Sequence, residues 1–261
     1  MFAEGTRHES HSISGVMPAF NEAVGIERSV RQLAGVLEQI TDDFEVLVTN
    51  DGSTDATGAV LEKLSIAAPE LRLRVVSHAR NQGYGAALAS GINAARKELI
   101  FFTDGDRQFD VTELGDFVHE LDSETDLVIG WRRKRADPPF RLLNAWGWNL
   151  VVNGLFGYTA RDVDCAFKLF RRRVWECLTV RARGATFSAE FLVKARRRGF
   201  RVKEEPVTHL PRTAGSPTGA RLAVIARAFW ELLQLWRNLD GELARDAYRQ
   251  SLRAELLHQD G

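Results

Sequence analysis

Two carboxylates one residue apart close an apolar run in this chain: Leu99-Ile100-Phe101-Phe102 leads into Thr103-Asp104-Gly105-Asp106-Arg107-Gln108. Asp104 and Asp106 share a side of an extended turn, Gly105 relieves crowding between them, and the amide oxygen of Gln108 follows. Hard oxygen donors of this kind suit Mg²⁺ or Mn²⁺ bridging two phosphates. Asp-Gly-Asp is also ordinary turn composition, so the position after a buried strand carries the functional reading. A second strand end reads Asn50-Asp51-Gly52-Ser53 and a third Pro18-Ala19-Phe20-Asn21-Glu22. Asp51 either accepts hydrogen bonds from a base or ribose or caps the next helix through an Asx turn.

The elements that must position these groups follow from periodicity. Up to about residue 130, β-type runs at 12–17, 44–49, 71–76, 98–103 and 126–130 alternate with amphipathic stretches at 26–40, 55–67, 84–96 and 111–122. That alternation predicts an α/β fold with a doubly wound, mostly parallel sheet and helices on both faces. In such sheets ligands bind beyond the carboxyl ends of the strands. Further on, 141–157 and 188–198 read as helices, 163–170 and 200–208 as strands, and 210–219 as a Gly/Pro-punctuated loop. Residues 220–238 predict a helix with a wide apolar face, and 241–258 a weaker, more polar one. The expected organisation is a disordered tail over 1–11, a catalytic domain over 12–217 and a helical extension over 218–261, either peripheral to a membrane or dimerising.

Gly83 and Gly85 of Asn81-Gln82-Gly83-Tyr84-Gly85 precede a helix, but Leu88 stands where a dinucleotide fingerprint needs its third glycine, which rules out NAD. The two glycines let the loop lie close to a pyrophosphate or another strand, and Gly85-Ala86-Ala87 also permits tight helix packing.

With 261 residues, 44% hydrophobic and 27% charged, the composition excludes disordered and fibrous classes. Two cysteines exclude a disulfide scaffold and point to a reducing compartment. No signal-like apolar segment begins the chain and no run is long enough to span a bilayer, so a cytoplasmic or peripheral location is expected. The zero net charge is divided: residues 131–237 hold 22 Lys and Arg against 8 Asp and Glu, and the remainder is correspondingly acidic. An acidic half handling a cation and a basic half facing an anionic partner is the implied arrangement.

The ordered set Pro18–Glu22, Asn50–Asp55, Arg80–Gly85, Asp104–Gln108, Asp162-Val163-Asp164-Cys165-Ala166-Phe167-Lys168-Leu169-Phe170, and Arg212 with Gly215 resembles the inverting family 2 glycosyltransferases of GT-A fold. Within them it is most similar to the dolichyl- or polyprenyl-phosphate sugar synthases. The resemblance implies a nucleotide sugar donor, GDP- or UDP-hexose, contacted by Pro18, Asn21, Glu22 and Asp51, with Gly83 and Gly85 nearby. It assigns Asp104, Asp106 and Gln108 to the divalent metal and puts Asp162 and Asp164 beside the acceptor. Glu190 falls where relatives carry a polar residue near the sugar or acceptor, and a helix-capping role is the alternative.

If the acceptor is polyprenyl phosphate it needs no strong base, and Arg132, Arg133 and Arg212 become its phosphate contacts, because a guanidinium grips phosphate in two places. If the acceptor is a neutral hydroxyl, Asp162 or Asp164 is the general base. Three departures stand out: Asn50 replaces an acidic residue, and Pro217 and Thr218 replace a serine and a lysine of the acceptor loop. The expected partners are a nucleotide sugar, polyprenyl phosphate and an anionic membrane surface, with a homo-oligomer or anchoring protein as further options and no nucleic acid. The 141–157 and 220–238 helices would touch the bilayer.

Overall fold

The computed structural model describes residues 11–133, 139–211 and 222–259. The N-terminal tail, Lys134, Arg135 and the loop carrying Arg212, Gly215, Pro217 and Thr218 lie outside them. Among the described residues, seven strands form one sheet in the order β3-β2-β1-β4-β6-β5-β7. The strands are β1 (Ile13–Ala19), β2 (Phe44–Asn50), β3 (Leu73–Ser77), β4 (Leu99–Thr103), β5 (Leu127–Arg132), β6 (Phe167–Arg171) and β7 (Val202–Val207). Strands β3, β2, β1 and β4 run parallel, as do β5 and β7, and β6 is antiparallel to both neighbours. The α/β doubly wound expectation holds, with this one reversed strand added.

Successive strand residues point to opposite faces, and each face is apolar. Met17, Val46, Phe101 and Phe167 enter one core with α1 (Ile26–Ile40) and α4 (Leu114–Glu120). Val16, Leu47, Phe102 and Phe170 enter the other, with α3 (Tyr84–Ala94), α5 (Pro139–Phe156), α7 (Phe187–Arg197) and α8 (Leu222–Gln259). The remaining helices are α2 (Thr57–Ala67) and the short α6 (Arg172–Glu176). Helix α3 lies close on the sheet because it presents Gly91, where a Cβ would come within 2.6 Å of Val16 Cγ1.

The two helices expected over 220–238 and 241–258 are one continuous helix, α8. Gly241 between them has open space around it, so it costs only its intrinsic helix penalty of about 1 kcal/mol, which Leu232, Leu235 and Leu239 offset by packing into the core. No helix among the described residues is long and apolar enough to cross a membrane.

Candidate active site

The reversed strand explains how distant segments meet. Because β6 runs antiparallel, Phe167 at its start pairs with Thr103 at the end of β4, so the Asp162–Asp164 turn reaches the same sheet edge as Asp104 and Asp106. Arg132 ends β5, and the β5–β6 register brings it there too. Ala19 pairs with Asn50, which places the first two motifs beside each other at that edge.

The Asp-Gly-Asp turn is held from both sides. Ser29 of α1 donates to Gly105 O at 2.6 Å, and Arg107 adopts a left-handed φ of 58°. Tyr84 Oη donates to Asp104 Oδ1 at 2.8 Å, and Asp106 Oδ1 accepts from Gln108 N at 3.1 Å. Burial and the charges of Asp104, Asp164 and Asp106 push the Tyr84 hydroxyl well above its ordinary range, so it stays a donor. All three carboxylates therefore lie within electrostatic reach of one hydroxyl. Gln108 Nε2 donates to Leu210 O at 3.4 Å, which leaves its carbonyl oxygen as the end able to face a cation. Among the described residues no group of three or more His, Cys, Asp and Glu is arranged to hold a metal. Two carboxylates and an amide oxygen fit a hard divalent cation that takes its other ligands from substrate phosphates and water.

Asp51 is buried and reaches across to the glycine loop, accepting from Gln82 N and Gly83 N at 2.9 Å each and meeting His78 Nδ1 at 2.6 Å. His78 Nε2 in turn meets Ser90 at 2.9 Å. The Asx turn belongs instead to Asn50, whose Oδ1 accepts from Ser53 N at 3.2 Å. Asn21, also left-handed, uses Oδ1 to accept from Thr54 N at 2.8 Å, which ties the first motif to the second. Glu22 N donates to Thr57, and Pro18 O packs 3.2 Å from where a Cβ on Gly105 would lie.

Gly83 has φ 102°, and a Cβ there would approach Arg183 O to 2.5 Å; one on Gly85 would meet Ala182 O at 2.6 Å. On that side, the close approach both glycines permit is to the chain itself. Glu190 is buried against this same loop: its carboxylate accepts from Arg181 N and Ala182 N and pairs with Lys194 at 2.6 Å. It neither caps its own helix nor presents an uncommitted carboxylate to a sugar.

Arg132 and Asp162 were each expected to act on the acceptor alone, and the structure pairs them. Nε and Nη2 of Arg132 donate to the two carboxylate oxygens at 2.7 Å each, and both side chains are about nine-tenths buried. Burial works against the Arg132 charge, but Asp162 outweighs it and holds the guanidinium firmly protonated. Asp164 is different. It is exposed, and it accepts from Trp148 Nε1 at 3.1 Å. Desolvation on its protein side and the neighbouring Asp162 charge push its carboxyl up to about 6. Lys168, fully buried below, donates to Val163 O and Cys165 O and so fixes the turn.

The Asp164 shift has a thermodynamic consequence. Between the ordinary 3.8 and about 6 the folded chain holds more protons than the unfolded one, so stability falls as pH rises through that window. Two units would correspond to about 3 kcal/mol for a fully buried group, and solvent screening at this site lowers that to about 1 kcal/mol. Asp164→Asn should therefore melt higher than wild type at pH 7.5, with the gap closing towards pH 4. An equal gap at both pH values would contradict the assignment.

Five contributors were not read from the sequence as parts of the site: Ser29, Tyr84, His78, Trp148 and Lys168. Tyr84 stands between the two glycines and Lys168 acts within its own turn, over three and five residues, whereas Ser29, His78 and Trp148 act over separations of 12 to 76 residues.

The sequence and the fold have known relatives. Residues 14–179 match the family model "Glycosyl transferase family 2". The chain belongs to glycosyl transferase family 2. Among curated members, the dodecaprenyl-phosphate galacturonate synthase of Rhizobium johnstonii is 34% identical over 168 residues, which is 64% of this chain and 49% of that protein. The polyprenol monophosphomannose synthase of Mycolicibacterium smegmatis is 26% identical over 234 residues, covering 82% of this chain and 85% of that one. The chain spans only a third of the glycosyltransferase AglD of Haloferax volcanii, to which it is 35% identical over 209 residues. Mycobacterium tuberculosis glucosyl-3-phosphoglycerate synthase, solved with Mn²⁺, UDP and glucosyl-3-phosphoglycerate, superposes with a TM-score of 0.68 at 21% identity over 86% of this chain and 79% of that one. That likeness establishes the GT-A fold for this family member.

Proposed function

We propose that this family 2 chain transfers a hexose, with inversion, from a nucleotide diphosphate sugar to polyprenyl phosphate. The observation that carries the reading is the convergence of Asp104, Asp106, Asp164 and the Arg132–Asp162 pair at one sheet edge. The activities of the Rhizobium and Mycolicibacterium relatives, both polyprenyl-phosphate sugar synthases, support the acceptor class. The nucleoside belongs on the first two strand ends, where Asp51 and Asn21 shape the loops around it. Asp104, Asp106 and Gln108 are the residues that would hold Mg²⁺ or Mn²⁺. Such an ion neutralises charge on a departing nucleoside diphosphate.

The acceptor phosphate is already an anionic nucleophile, so the task of the protein is orientation. Its oxygen attacks the anomeric carbon as the bond from that carbon to the donor's phosphate oxygen breaks, and the nucleoside diphosphate leaves with the electron pair. Asp162 fixes the plane of Arg132, whose Nη1 together with exposed Arg133 is assigned to the acceptor phosphate, as is Arg212 from its sequence position. Arginine at all three places favours an anionic acceptor.

A soluble hydroxyl acceptor is the second reading, and the raised Asp164 carboxyl favours it to a degree. Asp164, not the Arg132-bound Asp162, would then be the base. The deciding experiment incubates the protein with Mg²⁺ or Mn²⁺ and a panel of GDP- and UDP-hexoses, with and without a short polyprenyl phosphate. Mass spectrometry then scores glycolipid and nucleotide. Glycolipid made with one donor, and abolished by chelation, is expected. Donor hydrolysis without glycolipid, and a rate rising through pH 6 with a soluble acceptor, would establish the second reading instead.

A further inference from the structure

The parallel register of β2 and β3 pairs Asn50 with Ser77, so the next residues, Asp51 and His78, leave the sheet side by side. His78 N donates to Asn50 O at 2.9 Å and extends that pairing by one step. Two glycines bring other segments onto the pair. Gly52, at φ 65°, lets the 80–83 loop lie on the end of β2, since a Cβ there would run into the Arg80 carbonyl carbon. Gly91 lets α3 lie close on the sheet and carries its neighbour Ser90 to the imidazole. The side chains of Asp51 and His78 are both more than nine-tenths buried.

These contacts fix where the protons are. As a carboxylate Asp51 only accepts, and it takes Gln82 N on Oδ1 and Gly83 N on Oδ2, at 2.9 Å each. The 2.6 Å contact between His78 Nδ1 and Asp51 Oδ1 is therefore a ring N–H donating to the carboxylate, with the short length of a charge-assisted bond. Nε2, 2.9 Å from Ser90 Oγ, is left to accept from that hydroxyl in the neutral ring. A buried carboxylate held by three donors has a single orientation. The loop it holds runs on directly to Tyr84, whose hydroxyl donates to Asp104 Oδ1 at 2.8 Å.

We infer that His78, oriented by Ser90, is a positioning residue of the donor site: it locks Asp51 onto the Gln82 and Gly83 amides, and the loop so held places Tyr84 against Asp104. The inference rests on the proposed function in one respect, that Asp104 belongs to the site for a cation and a diphosphate. His78 acts through Asp51 and the loop, and it needs no contact with substrate. Without the Nδ1 bond, Asp51 is free to turn from one of the two amides, and the register between the end of β2 and the Asp-Gly-Asp turn loosens. The rival account is a ring that only fills space between β3 and α3.

Two variants separate the ring nitrogens. The amide nitrogen of an asparagine stands where Nδ1 of a histidine does, and that of a glutamine where Nε2 does. His78→Asn therefore keeps the bond to Asp51 and gives up the one to Ser90, and His78→Gln does the reverse. In the substrate-free protein, hydrogen exchange of the Gln82 and Gly83 amides should quicken by at least about tenfold in His78→Gln, the effect of losing one hydrogen bond to a charged group, and by less than about threefold in His78→Asn. Side-chain nitrogen NMR of the wild type should show Nδ1 protonated, a measurement independent of how the variants fold. Calorimetric titration of Mn²⁺ with UDP and with GDP reads the consequence. Affinity for the nucleotide that the wild type binds should fall at least about tenfold in His78→Gln and return to within about threefold in His78→Asn. A space-filling ring predicts the opposite order, because glutamine is closer to histidine in volume. A ring protonated only at Nε2, unchanged exchange in His78→Gln, or equal losses of nucleotide affinity in the two variants would overturn the inference. A wild type that binds neither nucleotide with Mn²⁺, while exchange follows the expected order, would remove the proposed function and leave the clamp on Asp51 standing.

Discussion

Asp106→Ala is expected to lower turnover by more than about 10³-fold while leaving the melting temperature unchanged, because its carboxylate is a cation ligand at the point where leaving-group charge develops. Within the fold its carboxylate accepts from the backbone N–H of Gln108, two residues on, in a turn that Ser29 and Tyr84 also hold. Two measurements separate a lost ligand from a lost fold. Isothermal titration of Mn²⁺ with nucleoside diphosphate should show wild-type binding and none in the variant. Thermal melts should coincide. A variant with full activity, or one that melts early, would refute the metal assignment of Asp106.

The second large effect concerns stability. Lys194 is fully buried, with Nζ 2.6 Å from Glu190, from Glu242 of α8 and from Thr179 O. Lys194→Met removes the cation and leaves two buried carboxylates facing each other, a change that costs about 3–5 kcal/mol. For a domain of this size that lowers the melting temperature by roughly 10 °C. Adding Glu242→Gln to the variant should recover part of the loss by removing one of the stranded charges, and a double variant no more stable than the single one would show that the cost is packing alone. Since Glu190 also holds Arg181 N and Ala182 N, and Arg183 O accepts from Ala86 N, the single variant should raise the KM for donor as well.

The strands were legible because parallel sheets buried on both faces are written as short apolar runs, and each of the seven runs read from the sequence is a strand within a few residues. Strand direction was not legible. Nothing in Cys165–Phe170 states that it runs against its neighbours, and that reversal is what brings Asp164 to Asp104. The carboxylates of the cleft were visible from their position after apolar runs, but their commitments were not. Arg132 and Asp162 lie 30 residues apart and gave no local sign of being a pair. Asp51 reads as an acceptor for a base or ribose or as an Asx-turn cap, yet it is tied to Gln82, Gly83 and His78 through a loop that only the tertiary fold closes. Residues 220–238 and 241–258 read as two helices, and burial of Leu235 and Leu239 before Gly241 accompanies a single helix through it.

The sheet order has a further consequence during synthesis. Strand β5 pairs only with β6 and β7, both of which follow it in the chain, and β6 lies between β4 and β5. A nascent chain that has emerged as far as Arg132 therefore carries a β3-β2-β1-β4 half whose β4 edge is still unpaired, and a fifth strand with nothing to pair to. Until Phe167–Arg171 leaves the ribosome, that edge and that strand are exposed together, and unpaired apolar strands are where wrong pairings and aggregation begin. Emergence of β6 closes both at once, so the most vulnerable interval in the life of this protein is the translation of the residues between β5 and β6.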